Sequence, residues 1–152
     1  MRSSTIADPS HTTTAVFLDT NVLVDCADHR DLSRQQLCRA ATASLMSVGR
    51  ATISTQVLQE FYTACIRKLG LSSATAHTLV RQYRRLPIVT VTPDLIDQAI
   101  VLHQSQQISF WDALIVAAAA SAGCRTLLTE DLNAGQIIAG VEIVRPEESH
   151  FG

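Results

Sequence analysis

The chain has 152 residues, of which 47% are hydrophobic and 17% are charged, and its formal net charge is -2. A chain of this length and composition is expected to form one compact domain that buries roughly 70% of its unfolded surface, which excludes a disordered or acidic-tail protein. The nearly neutral charge does not indicate a nucleic-acid partner, so any phosphate binding has to be local or carried by a bound cation.

Cysteine usage and hydropathy predict a cytoplasmic protein that does not contact membranes. The four cysteines stand far apart, without a C-x-x-C pair or a nearby histidine cluster, and are interpreted as small buried residues in a reducing compartment. The longest apolar run, residues 113–120, is far shorter than the roughly 20 residues that span a bilayer. The polar N-terminus lacks the apolar segment of a secretory signal.

The chain begins with a predicted flexible tail at residues 1–14, which are rich in Ser and Thr and show no periodicity. One domain is expected over residues 15–152. Its first element is a buried strand at residues 15–18, and Asp19 separates this strand from a short helix that begins at Thr20. A capping-box pattern, Ser33 followed by Gln36, predicts the next helix.

Strands and helices then alternate to the end of the chain. Short strands are predicted at residues 51–53, 88–91, 126–129 and 141–144. Good helix starts follow several of them, among them Ser54 or Thr55, Pro93, and Ser109 before a small, apolar helix. This alternation implies right-handed crossovers and a mostly parallel sheet of four to five strands, covered by helices on both faces.

Four carboxylates are predicted to meet at one edge of this sheet. Asp19 follows the first strand, Asp131 follows the fourth, and Asp112 lies in the first turn of a helix. Glu60 lies roughly 9 Å into its helix at 1.5 Å per residue, a gap that its longer side chain largely covers. Ligands of open α/β sheets bind at the carboxyl ends of the strands, where the connecting helices begin. All four carboxylates are therefore expected at that edge.

Each carboxylate also has a simpler interpretation. Asp19 is able to cap a helix, Asp112 to complete a capping box, and Asp131 to form a turn. Glu60 is harder to explain in this way, because it lies on or near a strongly apolar helix face, where an unpaired glutamate is costly. The four together are harder to explain without a shared ligand than any one of them.

Carboxylates this close raise one another's pKa unless a cation compensates their charge. Mg²⁺ prefers oxygen ligands and binds through few carboxylates plus substrate phosphate, whereas zinc favours His or Cys. Such a site generates a hydroxide nucleophile and stabilises the leaving oxygen of a phosphodiester. The residues therefore predict a divalent-cation site, with one or two ions, that cuts a phosphodiester bond.

Four segments of the sequence, in this order and spacing, carry a family resemblance: LDTNVLVD at residues 18–25, QEF at 59–61, FWDALIVAAA at 110–119 and LTEDL at 128–132. Together they resemble the PIN domain family and, within it, the VapC toxins of bacterial type II toxin–antitoxin modules. The 14-residue tail departs from the early first strand that is usual in this family.

The resemblance implies a three-layer α/β/α fold and a Mg²⁺- or Mn²⁺-dependent endoribonuclease, with Asn21 and Thr129 as polar supports of its site. It also implies a homodimer and a cognate antitoxin, through which alone the protein would contact DNA. The catalytic, metal-binding residues that it implies are Asp19, Glu60, Asp112 and Asp131.

Basic residues near the ends of two central helices are candidate contacts for an RNA backbone. The simpler interpretation, that cations near a helix C-terminus suit the helix dipole, stays open. The candidates are Arg67, Lys68, Arg81, Arg84 and Arg85.

Competing enzyme classes fit less well. A haloacid-dehalogenase-type phosphatase needs a second aspartate where Asn21 stands, and both it and a receiver domain need a late lysine, whereas the only lysine is Lys68, inside a predicted helix. No P-loop or nucleophile-elbow motif occurs. The remaining alternative is a PIN-like binding or scaffold module without catalytic activity.

Overall fold

A computed structural model describes residues 14–149. The predicted tail lies outside the described residues except for Thr14, whose carbonyl oxygen accepts a hydrogen bond from Arg50 Nε at 2.9 Å. The strands are β1 (Val16–Leu18), β2 (Ala51–Ser54), β3 (Ile88–Val89), β4 (Thr126–Leu128), β5 (Ile137–Ile138) and β6 (Val141–Val144). The helices are α1 (Thr20–Ala27), α2 (Leu32–Ser47), α3 (Thr55–Arg67), α4 (Ser73–Tyr83), α5 (Pro93–Gln106) and α6 (Phe110–Ser121), followed by a short 3-10 helix (Pro146–Glu148).

The strands form one six-stranded sheet in the order β3-β2-β1-β4-β6-β5. Every neighbouring pair is parallel except β5 and β6, which pair antiparallel through a turn in which Ala139 and Gly140 both have positive φ. The mostly parallel, three-layer arrangement is confirmed, but the sheet has one strand more than the four to five predicted. The additional strand, β5, is two residues long, which is too short to show a hydrophobic period.

Strand β1 lies at the centre of the sheet and positions the site. All three of its residues are buried, which explains the uninterrupted apolar run. Its register with β4 sets Leu18 opposite Leu128, and the Asp19 amide donates a hydrogen bond to Leu128 O at 3.0 Å. Asp19 and Thr129 therefore leave adjacent parallel strands side by side.

The helix starts follow the predicted chemistry with one exception. Ser54 and Ser109 are N-caps, and Pro93 is the first residue of α5. The predicted capping box at Ser33 and Gln36 is wrong: α2 begins at Leu32, and Asp31 is its N-cap. The Asp31 carboxylate already accepts the Arg34 amide at 3.0 Å, so Ser33 lies inside the first turn rather than before it.

Residues 113–119 of helix α6 are all buried, and the helix packs against α5 and against strands β2, β4 and β6. Its run of small apolar residues lets it lie close to the sheet, as the sequence predicts. The four cysteines are free and buried. None of the helices within residues 14–149 combines the length and apolarity that crossing a membrane requires.

Candidate active site

Asp19 both caps a helix and faces the site. It is the N-cap of α1, and its Oδ1 accepts a hydrogen bond from the Thr20 amide at 2.7 Å. Its Oδ2 accepts from Thr129 Oγ1 at 2.7 Å and from Asn21 Nδ2 at 3.4 Å, and the residue is only 4% exposed. The capping and the site interpretations are therefore compatible, because each carboxylate oxygen serves one of them.

Thr129 is the polar support that joins two acidic residues. Its buried hydroxyl donates to Asp19 and accepts from the Asp131 amide at 3.1 Å and from Asn21 Nδ2 at 3.2 Å. Its carbonyl oxygen accepts from Arg145 Nη1 at 2.9 Å, a contact that the sequence reasoning missed. Its position in the sequence could have indicated this contact. Arg145 directly follows β6, as Asp19 directly follows β1, so both residues lie at the same edge of the sheet.

Three of the four predicted acidic residues lie within reach of a single ion. Asp19, Asp112 and Asp131 each offer a carboxylate oxygen, and these oxygens lie within 4.8 Å of one another. Asp112 is half-buried in the first turn of α6, where its amide donates to Ser109 Oγ at 3.0 Å. The capping interaction with Ser109 thus involves the backbone of Asp112, and a carboxylate oxygen of Asp112 also reaches the cluster.

Glu60 stands apart from this group of three and faces the adjoining cleft. Thr20 Oγ1 donates to its Oε1 at 2.7 Å, and Gln56 Nε2 donates to its Oε2 at 3.3 Å. Its charge nevertheless contributes to raising the pKa of both Asp19 and Asp112. Its role as a metal ligand stays a prediction.

The electrostatics of the cluster favour a bound cation. Burial raises the pKa of Asp19 to about 7 against the lowering effect of its hydrogen bonds, and Asp131 and Glu60 add to the rise. Burial also raises the pKa of Asp112. Within residues 14–149, no Arg or Lys forms an ion pair with the three clustered aspartates. An oxygen-only set of crowded carboxylates fits a hard divalent ion such as Mg²⁺.

A cleft of about 640 Å³ adjoins the acidic cluster. Asn21 Oδ1 and Gln56 Oε1 are buried without a hydrogen-bond partner, and both residues line this cleft. Of the predicted RNA contacts, Arg67 and Lys68 line it as well, whereas Arg81, Arg84 and Arg85 are exposed at the end of α4 and outside its lining. A second cavity of about 490 Å³ has no carboxylate in its lining and is separate from the site.

The model of the PIN domain family matches residues 16–137, which is most of the chain. The chain belongs to the PIN domain family. This membership agrees with the three-layer fold and with the position of the acidic residues at the carboxyl edge of the sheet. None of the curated proteins matches this PIN domain significantly in sequence.

Solved structures of toxins resemble this PIN domain. VapC20 of Mycobacterium tuberculosis, described as a toxin that cleaves the sarcin–ricin loop, is 25% identical with a TM-score of 0.59, over 74% of this chain and 87% of that one. DNA-bound VapBC from Salmonella typhimurium is 18% identical with a TM-score of 0.66, over 88% and 98% of the two chains. VapBC2 from Rickettsia felis, bound to promoter DNA, is 17% identical with a TM-score of 0.63, over 87% and 98%.

Proposed function

We propose that this PIN domain is a divalent-cation-dependent endoribonuclease that acts as the toxin of a toxin–antitoxin pair. The observation that carries the proposal is the cluster of Asp19, Asp112 and Asp131, whose oxygens lie within 4.8 Å of one another without a pairing cation among the described residues. Family membership and the likeness to a toxin described as cleaving the sarcin–ricin loop support RNA as the substrate.

The clustered aspartates would hold the ion, Mg²⁺ or alternatively Mn²⁺, and Glu60 would complete the four-carboxylate set from the side of the cleft. When bound, the ion supplies an activated water and neutralises charge on the phosphate. The protein's part is preorganisation. Thr129 holds Asp19 and the backbone of Asp131 together, while Thr20 and Gln56 fix the direction of the Glu60 carboxylate.

Arg67 and Lys68 would contact the RNA backbone from the far end of the cleft, where their charges lie beyond the acidic cluster. The proposed partners are a cognate antitoxin and a second copy of the chain, and DNA would be reached through the antitoxin. The similar VapBC structures that are bound to DNA support this proposal. The proposed compartment is the cytoplasm, where RNA is available and free buried cysteines stay reduced.

Cleavage of a labelled single-stranded RNA by the purified protein tests the enzyme. We expect cleavage with Mg²⁺ or Mn²⁺, none with EDTA, and a loss on the order of 100-fold or more in Asp19→Asn and Asp112→Asn. Asp94→Asn is the matched control, because Asp94 also lies in the first turn of a helix but outside the cleft. It should cut at the wild-type rate.

Cleavage that persists in EDTA, or variants that cut at full rate, would contradict the metal mechanism. Calorimetry without any Mg²⁺ binding would favour the scaffold alternative instead. Growth arrest on induction, relieved by co-expression of a neighbouring small gene product, would exclude that scaffold and support the toxin assignment.

A further inference from the structure

Trp111 is the only tryptophan of the chain, and its position is unusual for so large an apolar residue. It is 61% exposed in the first turn of α6, directly before Asp112 of the acidic cluster. It also lines the cleft beside that cluster. Other large apolar residues that are similarly exposed, Ile137 and Leu32, are absent from the cleft lining. Tryptophan is enriched at binding surfaces because its ring is apolar and its N–H is polar, so an exposed ring in the wall of a polar cleft is a candidate ligand contact.

The contacts around Trp111 hold it at a fixed place. Its ring meets that of Phe110 edge to face, with the ring centres 5.0 Å apart and the planes at 74°. Its carbonyl oxygen accepts a hydrogen bond from Gln56 Nε2 at 3.2 Å. The same nitrogen donates to Glu60 at 3.3 Å, so one buried amide ties the backbone of Trp111 to an acidic side chain of the site.

The cleft is also lined by basic side chains, which lie apart from its acidic side chains. Arg67 and Lys68 lie seven or eight residues after Glu60 on α3 and its C-cap, about 10–12 Å along the helix at 1.5 Å per residue. The lining therefore combines carboxylates, an aromatic ring and two exposed cations. Single-stranded nucleic acids are bound by this combination of a cationic track for the backbone and aromatic rings on which bases stack.

We propose that Trp111 is a stacking platform for one unpaired base of the RNA, next to the phosphodiester that is cut. The neighbouring phosphates run toward Arg67 and Lys68. In a duplex both faces of each base are covered by its neighbours, so an indole ring stacks only on a base that has left the helix. The substrate is then a single-stranded or looped segment. This inference rests on the proposed function and adds to it the form of RNA that the site accepts.

Intrinsic fluorescence tests the inference directly, since Trp111 is the only tryptophan. The titration uses the Asp19→Asn protein with Mg²⁺, because Asp19 is outside the cleft lining and its loss prevents cleavage. A short single-stranded oligoribonucleotide should quench the fluorescence saturably. The same strand annealed to its complement should quench it far less.

Substitution of Trp111 in the otherwise wild-type protein gives the second measurement. Trp111→Ala should raise Kd for the single strand about 10-fold or more and lower kcat/KM more than kcat, whereas Trp111→Phe should keep most of the affinity. Tyr62→Ala is the matched control: Tyr62 is another exposed aromatic residue, on α3, whose hydroxyl bonds Ser73 outside the cleft. It should bind and cut like the wild type.

Removing single bases from the RNA tests the stacking contact in the wild-type protein as well as in the variant. One abasic position should weaken binding to the wild type and have no further effect in Trp111→Ala. Equal binding and cleavage by wild type and Trp111→Ala would overturn the inference and leave the proposed nuclease intact. A wild type that neither binds nor cuts RNA would overturn both. Loss of a dimer in Trp111→Ala with unchanged RNA affinity would also overturn it, by assigning the ring to a protein interface.

Discussion

The molecule contains two clusters of three carboxylates each. The negative charge of the two clusters is compensated differently. Asp25, Glu130 and Glu147 surround Arg34, which pairs with Asp25 at 3.5 Å, with Glu147 at 2.6 Å, and with Glu130. The clustered aspartates of the site have no such guanidinium among the described residues. The two clusters adjoin at one point of the sequence, where Glu130 of the Arg34 group directly precedes Asp131 of the site.

The pKa values of Glu147 and Asp19 reflect the presence of a cation in one cluster and its absence, within residues 14–149, from the other. Slight burial alone would raise the pKa of Glu147, but the hydrogen bond and charge of Arg34 lower it on balance. Burial raises the pKa of Asp19 to about 7, and the neighbouring acids add to the rise. The Arg34 group carries its own cation and is a structural feature. The clustered aspartates lack such a cation among the described residues, and in our proposal an ion from solution compensates their charge.

Breaking the Arg34 group should have the largest effect on stability. Arg34→Met keeps most of the length of the side chain but removes the ion-pair partner of three partly exposed carboxylates. We expect the free energy of unfolding to fall by about 2–3 kcal/mol, because water screens part of the interaction. Urea denaturation measures this, with Arg34→Lys as the variant that recovers part of the loss. An unchanged midpoint and slope in Arg34→Met would mean that these ion pairs contribute nothing.

The pH dependence should report the uncompensated site. The folded protein holds a proton on Asp19 up to a pKa of about 7, whereas the ordinary value is 3.8. Between these values the folded state binds more protons than the unfolded state, so stability rises as pH falls. We expect the metal-free wild type to gain on the order of 2 kcal/mol from pH 8 to pH 5 relative to Asp19→Asn. Saturating Mg²⁺ should remove that difference, because it takes the place of the proton.

A wild type and an Asp19→Asn protein with parallel pH profiles in EDTA would contradict this account. The comparison cancels the contributions of the other titratable groups, because these groups are the same in both proteins. Asparagine is as good an N-cap as aspartate, so the substitution keeps the start of α1.

Asp112→Asn should have a smaller effect, of opposite sign to that of Arg34→Met. Relief of repulsion in the cluster should leave the metal-free protein unchanged or up to about 1 kcal/mol more stable. Its counterpart Asp94→Asn loses only a favourable helix-dipole interaction and should cost about 0.3–1 kcal/mol. Thermal unfolding in EDTA compares the two, and a larger loss in Asp112→Asn than in Asp94→Asn would refute the repulsion.

The ion pair of Asp28 with the exposed Arg30 should have the smallest effect. Arg30 Nε donates to Asp28 Oδ1 at 2.9 Å and Nη2 to Oδ2 at 2.9 Å, and these bonds hold the pKa of Asp28 well below its usual range. Water screens a pair at the surface, so Arg30→Ala should not change the denaturation midpoint measurably. A clear shift of the denaturation midpoint would show that the geometry of an ion pair, rather than its burial, determines its contribution to stability in this protein.

Much of the fold could be predicted from local signals in the sequence. The apolar run before Asp19 identified β1, and the caps Ser54 and Ser109 marked the starts of α3 and α6. Such features depend on residues within one turn or one strand, so they can be recognised in the sequence without knowing which other segment packs against them. The same reading misplaced the start of α2, where Asp31 competed with Ser33 for the first turn. It also missed β5, which exists only through its pairing with β6.

By itself, the sequence determined that acidic residues stand at the ends of strands and the beginnings of helices, because parallel strands place those positions at one edge. Only the tertiary structure decided which of their carboxylates lie within reach of a single ion. The register of β1 with β4 brings Asp19 to Thr129 across 110 residues, and the packing of α3 brings Glu60 to Thr20, outside the set of oxygens that lie within 4.8 Å of one another. Both depend on contacts between distant segments, whose rotations and registers no local pattern encodes.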